Sequence, residues 1–463
     1  MADGIQAFAD WLFLPYVIAL LLGGGLFLSF RTGFVQVRRF GDGLRAMVAQ
    51  SSKGASGALT PFQSFMTALA ASIGTGNIAG VATAIVSGGP GALFWIWVYG
   101  FLATSIKFSE AVLGVKYRVF TDRAGAQGTP AVQEDVKCGP MYYLREVKWG
   151  AFPKIGAALA WTYALVAGVA ALTTTPFTQP NSIGVAVNYV MPTGTITLPV
   201  IGAVQQTALF TGLVVAVLTW AVIIRGIKSI GRAAESLAPL KVGLYLIGGL
   251  IVIVSFAGQI PSVLKLVVTE ALSLRSGLGF GLFVAMRYGI ARGVYANEAG
   301  YGTAAVAYGT AKSTDPSQQG MQAVMEVFIV SFVTATISAM TILLTGVWNA
   351  GPTSTAAVAS AFNMAIPTGG GYIVALCAFL FGLTTLIGWA YYGEQFLEYI
   401  LGRSVTVPYR WIYCLLIPFG AIAKPTVVWA WGDLMNALQV FPNMIGLVVL
   451  SAVAAKYARK AQV

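Results

Sequence analysis

Residues 67–80 read Thr67-Ala-Leu-Ala-Ala-Ser-Ile-Gly-Thr-Gly-Asn-Ile-Ala-Gly80 and lie within a long apolar segment. The centre of this stretch is a poor helix former, because two glycines alternate with residues whose side chains carry oxygens: Ser72, Gly74, Thr75, Gly76 and Asn77. In lipid, a helix break leaves backbone N–H and C=O groups that must find other partners. The stretch therefore predicts a place where freed backbone groups bind something.

The composition predicts a polytopic membrane protein. Of 463 residues, 57% are apolar and only 10% are charged, whereas soluble proteins carry about 25% charged residues. A spanning helix needs about 20 mostly apolar residues. Eleven segments meet this description, and the predicted spans are residues 11–30, 62–86, 92–115, 155–175, 207–224, 237–257, 276–293, 324–347, 372–393, 411–423 and 426–453.

The Lys and Arg residues alternate from loop to loop along these spans, which predicts a multi-pass protein of the cell membrane with its N terminus outside and its C terminus in the cytoplasm. The net charge of +12 is then interpreted as cytoplasmic loop charge and not as a nucleic-acid surface. The long loops at 119–154 and 176–206 are expected to hold short amphipathic helices.

Several function classes are excluded by what the sequence lacks. It contains no histidine, and Cys138, Cys377 and Cys414 are isolated, so no metal-ligand spacing or disulfide framework is present. We therefore expect neither an enzyme nor a prosthetic group.

A second glycine-interrupted stretch, Ser276–Gly281, opens the seventh span. The first such stretch lies in the second span, so the two are five spans apart. An odd number of spans per unit inverts the second unit, and paired breaks in inverted repeats point to the binding site of a transporter. Freed N–H groups suit a carboxylate and freed C=O groups suit a hard cation. The alternative is close helix packing through small residues, as in Gly76-x-x-x-Gly80.

The adjacent hydroxyls of Thr384 and Thr385 are expected to bind Na⁺ with backbone carbonyls, although Thr side chains also bond to their own helix. Neither predicted break contains an acid, which favours Na⁺ over a proton as the coupling ion. Asp433, Glu110 and Glu394 remain candidates for buried acids, and Lys107 with Glu110 is expected to form a structural pair.

Three longer motifs resemble the alanine or glycine:cation symporter family. They are Gly88-Gly-Pro-Gly-Ala-Leu-Phe-Trp-Ile-Trp97, Lys107-Phe-Ser-Glu-Ala-Val-Leu-Gly-Val-Lys-Tyr-Arg118 and Ala291-Arg-Gly-Val-Tyr-Ala-Asn-Glu-Ala-Gly-Tyr-Gly-Thr-Ala304. Cys138 and Tyr308 depart from the pattern of the family. The resemblance implies an all-α, leucine-transporter-like fold with five-plus-five inverted repeats. The implied units are an extra N-terminal helix and basic loop at 1–61, the two repeats at 62–257 and 258–453, and a cytoplasmic tail at 454–463.

The resemblance also implies site residues. The substrate-binding residues would be Gly74, Thr75, Gly76, Asn77, Gly277, Gly279, Phe280 and Gly281. One sodium site would use the carbonyls of Ala70, Ile73 and Phe381 with the hydroxyls of Thr384 and Thr385, and a second would use Ser72 and Asn77.

The function predicted on these grounds is Na⁺-coupled symport of a small neutral amino acid, alanine or glycine, into the cell by alternating access. Its partners would be L-alanine or a similar amino acid, sodium and the lipid bilayer. A proton-coupled or non-amino-acid carrier of the same fold is the main alternative, and a passive channel is a remote one.

Overall fold

The computed structural model describes residues 2–49, 51, 54–122, 134–148, 154–199, 202–274 and 281–459. The N-terminal part is helical, and a π-helical turn at Phe13–Val17 joins its first two helices into one rod. Its helices are α1 (Ala2–Leu12), α2 (Ile18–Thr32), α3 (Val35–Arg38) and α4 (Phe40–Ala46).

The next part contains the first interrupted helix and a set of long helices. In chain order they are α5 (Pro61–Ser72), α6 (Ala79–Gly88), α7 (Ala92–Lys116), α8 (Pro140–Leu144), α9 (Ile155–Thr173), α10 (Thr175–Val190), α11 (Gln206–Ile223) and α12 (Ile227–Ser255).

The remaining part again combines interrupted and continuous helices. It comprises α13 (Ile260–Leu272), α14 (Leu282–Asn297), α15 (Thr303–Gly309), α16 (Pro316–Val327), α17 (Ala335–Leu344), α18 (Ser354–Ala365), α19 (Gly370–Leu401), α20 (Thr406–Ile422), α21 (Pro425–Val449) and α22 (Ser451–Arg459). A π-helical turn at Phe328–Thr334 joins α16 to α17.

Two antiparallel hairpins correct the expectation of amphipathic helices in the long loops. The strands β1 (Val119–Asp122) and β2 (Glu134–Lys137) pair with each other, as do β3 (Thr195–Leu198) and β4 (Gly202–Gln205). The prediction for the first loop was partly right, since the short helix α8 follows the first hairpin. The second loop begins later than predicted, because α10 continues to Val190.

In the described part of the chain, eight helices are long and apolar enough to cross a membrane, or up to ten if each bent pair counts as one span. One bent pair is α5 with Thr75–Gly88, with a bend of 57° between them. The other is α21 with α22, with a bend of 62°. The multi-pass helical class is confirmed. The count of eleven spans, the orientation of the termini and the boundaries of the inverted repeats stay predictions.

The fourth predicted span is longer than expected. Residues 155–190 form one rod of α9 and α10, whereas the prediction ended the span at residue 175. Proline is tolerated in the first helical turn, where N–H groups lack helical partners, and Pro176 lies there. The polar side chains of α10, among them Thr178 and Gln179, are buried inside the bundle.

The burial of the long helices separates the centre of the bundle from its periphery. In the most apolar 18-residue stretch of α19, 78% of the residues are buried inside the protein, whereas in the corresponding stretch of α12 only 33% are buried. Large apolar side chains such as Phe210 and Val254 are exposed on the outside, as expected for a surface that faces lipid. The interrupted helices α5–α6 and α14–α15 pack against the central helices α7 and α19.

Candidate functional site

The first helix break lies where the sequence predicts it. The α5 helix begins at Pro61 with a capping box formed by Thr60 and Gln63, and it ends at Ser72. Ile73 and Gly74 leave the helical conformation, residues 75–77 form a single 3₁₀ turn, and α6 then begins.

The glycines of this break allow neighbouring side chains to approach closely. A Cβ atom on Gly74 would lie 2.6 Å from the Oγ1 of Thr385, and one on Gly76 would lie 2.5 Å from the ring of Tyr295. Such distances are far below van der Waals contact, so neither position accepts a side chain without movement.

The structure describes a second helix break, further along the chain than the stretch Ser276–Gly281 that the sequence predicted. Gly277, Gly279 and Phe280 lie outside the described residues, and Gly281 is the N-cap of α14, away from the first break. The helix instead ends at Asn297, and α15 begins at Thr303.

Three residues of the Asn297–Gly302 connection have positive φ angles: Glu298 (58°), Gly300 (96°) and Gly302 (84°). This break contains an acid, Glu298, whereas the sequence argument for sodium concerned the two predicted breaks, which contain none.

Glu110 on α7 stabilises the second break. Its carboxylate accepts hydrogen bonds from the backbone N–H groups of Gly300 (2.9 Å) and Gly302 (3.1 Å) and from the side chain of Asn443. Breaking a helix frees such N–H groups, and a carboxylate is a strong acceptor for them. The predicted pair of Lys107 with Glu110 is not formed, because Lys107 bonds to Glu326 at 2.6 Å instead.

The two breaks face one small cavity with about 310 Å³ of space not filled by atoms. The lining comes from both breaks and from the helices α5, α10, α14, α19 and α21, and comprises Ala71, Ser72, Gly74, Gly76, Thr174, Thr175, Gln179, Tyr295, Glu298, Tyr301, Thr385, Trp389 and Asn436. Gly74 and Gly76 were predicted to bind substrate, and Ser72 and Thr385 were predicted to bind sodium; the cavity brings these four together with residues that the sequence analysis did not select.

A hydrogen-bond acceptor of the protein already lies against the backbone N–H of Thr75 at the first break. The side-chain oxygen of Gln179 accepts hydrogen bonds from the backbone N–H and from the hydroxyl of Thr75, at 2.9 Å each. An amide oxygen resembles one oxygen of a carboxylate in size and acceptor geometry. The Thr75 N–H therefore points into a space that accommodates such an acceptor.

Glu298 supplies a negative charge to the same cavity. One carboxylate oxygen accepts a hydrogen bond from the indole N–H of Trp389 (2.6 Å), and the other accepts one from the hydroxyl of Thr303 (2.7 Å). Each carboxylate oxygen can accept two hydrogen bonds, so capacity for a further donor remains. These contacts fix the orientation of the carboxylate toward the first break.

Three of the oxygens that were predicted to bind sodium converge on a positively charged side chain of the protein, Lys241. The ammonium of Lys241 on α12 donates hydrogen bonds to the carbonyls of Ala70 (3.0 Å) and Ile73 (2.6 Å) and to the hydroxyl of Thr384 (2.6 Å). The carbonyl of Phe381 accepts a hydrogen bond from Thr384. Thr385 instead donates to the carbonyls of Ala70 and Ala71.

The side chains of the second predicted sodium position are bonded to protein groups. The hydroxyl of Ser72 donates to Glu326 (2.7 Å), and the side-chain N–H of Asn77 donates to the carbonyl of Ser72 (3.0 Å). Asn77 also accepts a hydrogen bond from Thr334. Glu326 accepts further hydrogen bonds from Lys107 and from Tyr308, so this position is part of a buried charged network.

Two of the three candidate acids are in ion pairs away from the cavity. Asp433 accepts two hydrogen bonds from Arg292, at 2.9 and 2.7 Å, and Glu394 accepts two from Arg410. Bidentate pairs of this kind fix the relative positions of two helices. The third, Glu110, stabilises the second break as described above.

The fold and the paired breaks define a class of protein. The crystal structure of MhsT in complex with L-phenylalanine matches with a TM-score of 0.57 and 14% identity, covering 88% of this chain and 99% of that one. A mutant of the manganese transporter of Eremococcus coleocola matches with a TM-score of 0.55 and 13% identity, covering 89% and 81%. At such identities the likeness shows the fold, and the protein is a multi-pass membrane protein of the leucine-transporter fold.

Residues 1–462 match the sodium:alanine symporter family, and the chain belongs to this family of transporters. The sodium/alanine symporter AgcS of Methanococcus maripaludis is 35% identical over 449 residues, which cover 95% of this chain and 92% of that protein. The amino-acid carrier protein AlsT of Bacillus subtilis is 31% identical over 442 residues, which cover 95% and 88%.

Proposed function

We propose that the protein carries a small neutral amino acid into the cell by cation-coupled symport with alternating access. The observation that supports this most directly is the pairing of opposite polarities across one cavity. The Thr75 N–H lies at the first break, and the Glu298 carboxylate lies at the second. A zwitterion with a carboxylate and an ammonium on adjacent atoms fits such a pair.

In this proposal, the substrate carboxylate replaces the side-chain oxygen of Gln179 at Thr75, and its ammonium donates to Glu298. Charge-assisted hydrogen bonds of this kind are about twice as strong as neutral ones. A solute that lacks either charge would lose one of them. This argues against a non-amino-acid carrier, the main alternative within the same fold.

Aromatic side chains limit the size of the substrate. Tyr295, Tyr301 and Trp389 line the cavity together with Gly74 and Gly76. The rings of the two tyrosines are rigid. The space between these rings and the glycines is small, since even a Cβ on Gly76 would lie 2.5 Å from the ring of Tyr295. Alanine and glycine are therefore the substrates we propose, in agreement with the name of the family.

The coupling ion is a separate question from the substrate. The family name and the name of AgcS support sodium. In this chain, however, one predicted sodium position holds the Lys241 ammonium. The proposal is therefore cation coupling, with sodium as the family expectation and a proton as the second candidate that this contact favours.

The test is uptake of labelled alanine into proteoliposomes that contain the purified full chain. We expect counterflow, in which internal unlabelled alanine accelerates entry of the label, because a carrier exchanges substrate without a net gradient. Alanine and glycine should compete, whereas lactate and ethylamine should not. A flux that rises linearly with concentration and shows no counterflow would indicate a channel and would overturn the proposal.

A further inference from the structure

A second, larger cavity, with about 1500 Å³ of space not filled by atoms, lies next to the small one. Tyr295 lines the small cavity and Trp429 lines the larger one, and the centroids of their rings are 5.1 Å apart. Gln6 of α1 also lines the larger cavity. Because the charge pattern predicts the N terminus outside, we expect the larger cavity to open to the exterior.

The charged side chains that line the larger cavity are positive. Among the described residues, its lining includes Arg287 and Arg292 of α14 and no aspartate or glutamate. Arg292 donates through both terminal nitrogens to Asp433, and its guanidinium lies 4.8 Å from the ring centroid of Trp429. Its charge is therefore compensated within the protein.

Arg287 is only partly compensated. Its side chain forms an ion pair with Asp10 through Nη2, and Asp10 is 42% exposed in that pair, so water screens its charge. Arg287 itself is only 8% exposed. Its Nε and Nη1 are buried and bond to no acceptor in the described part of the chain.

Such unbonded nitrogens point to a ligand. A guanidinium has five N–H donors, and Nε and Nη1 carry three of them. Leaving buried charged donors without acceptors is costly, and groups of this kind usually bind an ion or a water molecule. Because both nitrogens are covered, a ligand would turn the guanidinium of Arg287 toward the cavity to reach them.

Two helices begin at the same cavity. Ser354 and Ala356 in the first turn of α18 line it, as does Thr426 in the first turn of α21. Neither helix has a side-chain cap at its N terminus. The N–H groups of a first turn lack partners within the helix and carry a partial positive charge, which favours an anion.

We propose that the larger cavity is a second binding site, which holds a small anion between Arg287 and the first turns of α18 and α21. The buried guanidinium and the two helix ends favour negative charge, and hydroxyl groups such as that of Ser87 can donate further hydrogen bonds. The anion is either the carboxylate of an incoming amino acid or an inorganic ion such as chloride. Only the first of these sources rests on the proposed function.

The experiment measures equilibrium binding of radioactive chloride to the purified full-length protein, in a buffer without other small anions. We expect saturable binding to the unsubstituted protein and an increase in Kd of at least tenfold in Arg287→Gln, because hydrogen bonds to charged groups are the strong ones. Lys265→Gln is the control, since it makes the same change of charge at an exposed residue outside the cavity. Its Kd should equal that of the unsubstituted protein.

Asp10→Asn separates anion binding from a structural role of the ion pair. It breaks the same pair as Arg287→Gln but leaves the guanidinium without its competing carboxylate, so the Kd for chloride should fall by about twofold to fivefold. Weaker binding in both variants would show that the pair only supports the fold and would overturn the proposal. If Arg287→Gln does not fold, chloride binding to the unsubstituted protein and to Asp10→Asn still decides.

Competition distinguishes the two sources of the anion. Unlabelled alanine and bromide are added to Glu298→Gln, in which binding at the small cavity should be weakened. Displacement of chloride by alanine assigns the site to the incoming amino acid, whereas displacement by bromide alone assigns it to inorganic anions. Absence of saturable chloride binding to the unsubstituted protein would overturn this inference even if alanine counterflow is normal. Chloride binding without counterflow would overturn the proposed function alone.

Discussion

The side chain of Gln179 on α10 and the backbone of Thr75 at the first helix break are directly hydrogen-bonded, with the amide oxygen of Gln179 2.9 Å from the Thr75 nitrogen. The same oxygen accepts the Thr75 hydroxyl. A ligand that binds to this N–H must therefore compete with a neutral acceptor of the protein. Its advantage is the negative charge that the amide oxygen lacks.

The competition at Thr75 predicts strong selectivity for a free carboxylate. Alaninamide offers only a neutral oxygen, no better than that of Gln179, whereas alanine offers a charged one. Hydrogen bonds to charged groups are worth about 1 kcal/mol more than neutral ones, so alaninamide should bind about fivefold more weakly or worse. The measurement is competition against labelled alanine. Equal potency of the two compounds would show that the carboxylate binds elsewhere.

Glu298→Gln should weaken alanine binding by removing the charge that we assign to the substrate ammonium. The loss of one charge-assisted hydrogen bond is worth about 1.5–3 kcal/mol, which corresponds to about a tenfold to hundredfold rise in Kd. Equilibrium binding of labelled alanine to purified protein measures this. Glu146→Gln is the control, because Glu146 is exposed and outside the cavity. The idea fails if both variants bind alanine as the unsubstituted protein does.

Gly76→Ala should impair transport through a steric clash in the cavity. Its Cβ would meet the ring of Tyr295 at 2.5 Å, and inserting a methyl group at a close contact costs about 1–3 kcal/mol through shifted neighbours. We expect uptake of alanine to fall at least tenfold while the protein remains monodisperse. Gly23→Ala is matched to it, since a Cβ at Gly23 meets no atom within 4 Å, and it should transport normally. Normal transport by Gly76→Ala would mean that this break does not border the substrate.

Arg292→Met should destabilise the fold, because it leaves Asp433 buried without its partner. Breaking one side of a buried ion pair costs about 3–5 kcal/mol, whereas replacing both partners with apolar residues is often neutral. The Tm in detergent should therefore fall for Arg292→Met and recover in part in the double variant with Asp433→Leu. Arg45→Ala provides the comparison, since Arg45 is 84% exposed in its pair with Asp42, and its Tm should change little. No recovery in the double variant would show that Arg292 acts mainly through other contacts, such as that with the ring of Trp429.

The sequence predicted the membrane class and the first helix break, because these depend on local composition, whereas the oxygens around Lys241 were implied by the family resemblance, and as ligands of sodium. Glycine and polar residues in an apolar segment are a local signal, and Gly74 and Gly76 carry it. The second break was assigned to Gly277–Gly281, although Gly300-x-Gly302 carries the same signal. Those glycines lie beyond the apolar run of the seventh span, where a break and a loop look alike in sequence.

The residues that were missed have tertiary causes. Gln179 lies between Pro176 and Pro180 in a stretch with four threonines, which is typical of a loop in sequence, yet much of α10 is buried by its neighbours. Lys241 could have been found from the sequence, since a lysine within a predicted span is costly in lipid and usually marks a functional site. Its partners on α5 and α19 are 143 to 171 positions away in sequence, and only the folded chain brings them together.

Because Glu110 binds the backbone of the second break, the two interrupted helices should differ in how easily they bend. Gly300 and Gly302 are tied by a carboxylate to α7, one of the central helices, and Asn443 of α21 joins the same acceptor. Apart from the Ser72 hydroxyl, which donates to Glu326, the end of α5 is tied to its surroundings through side chains of lysine, threonine and glutamine, which can rotate once their partners leave. Bending should therefore concentrate at the first break, with the second acting as the fixed wall against which the substrate is held.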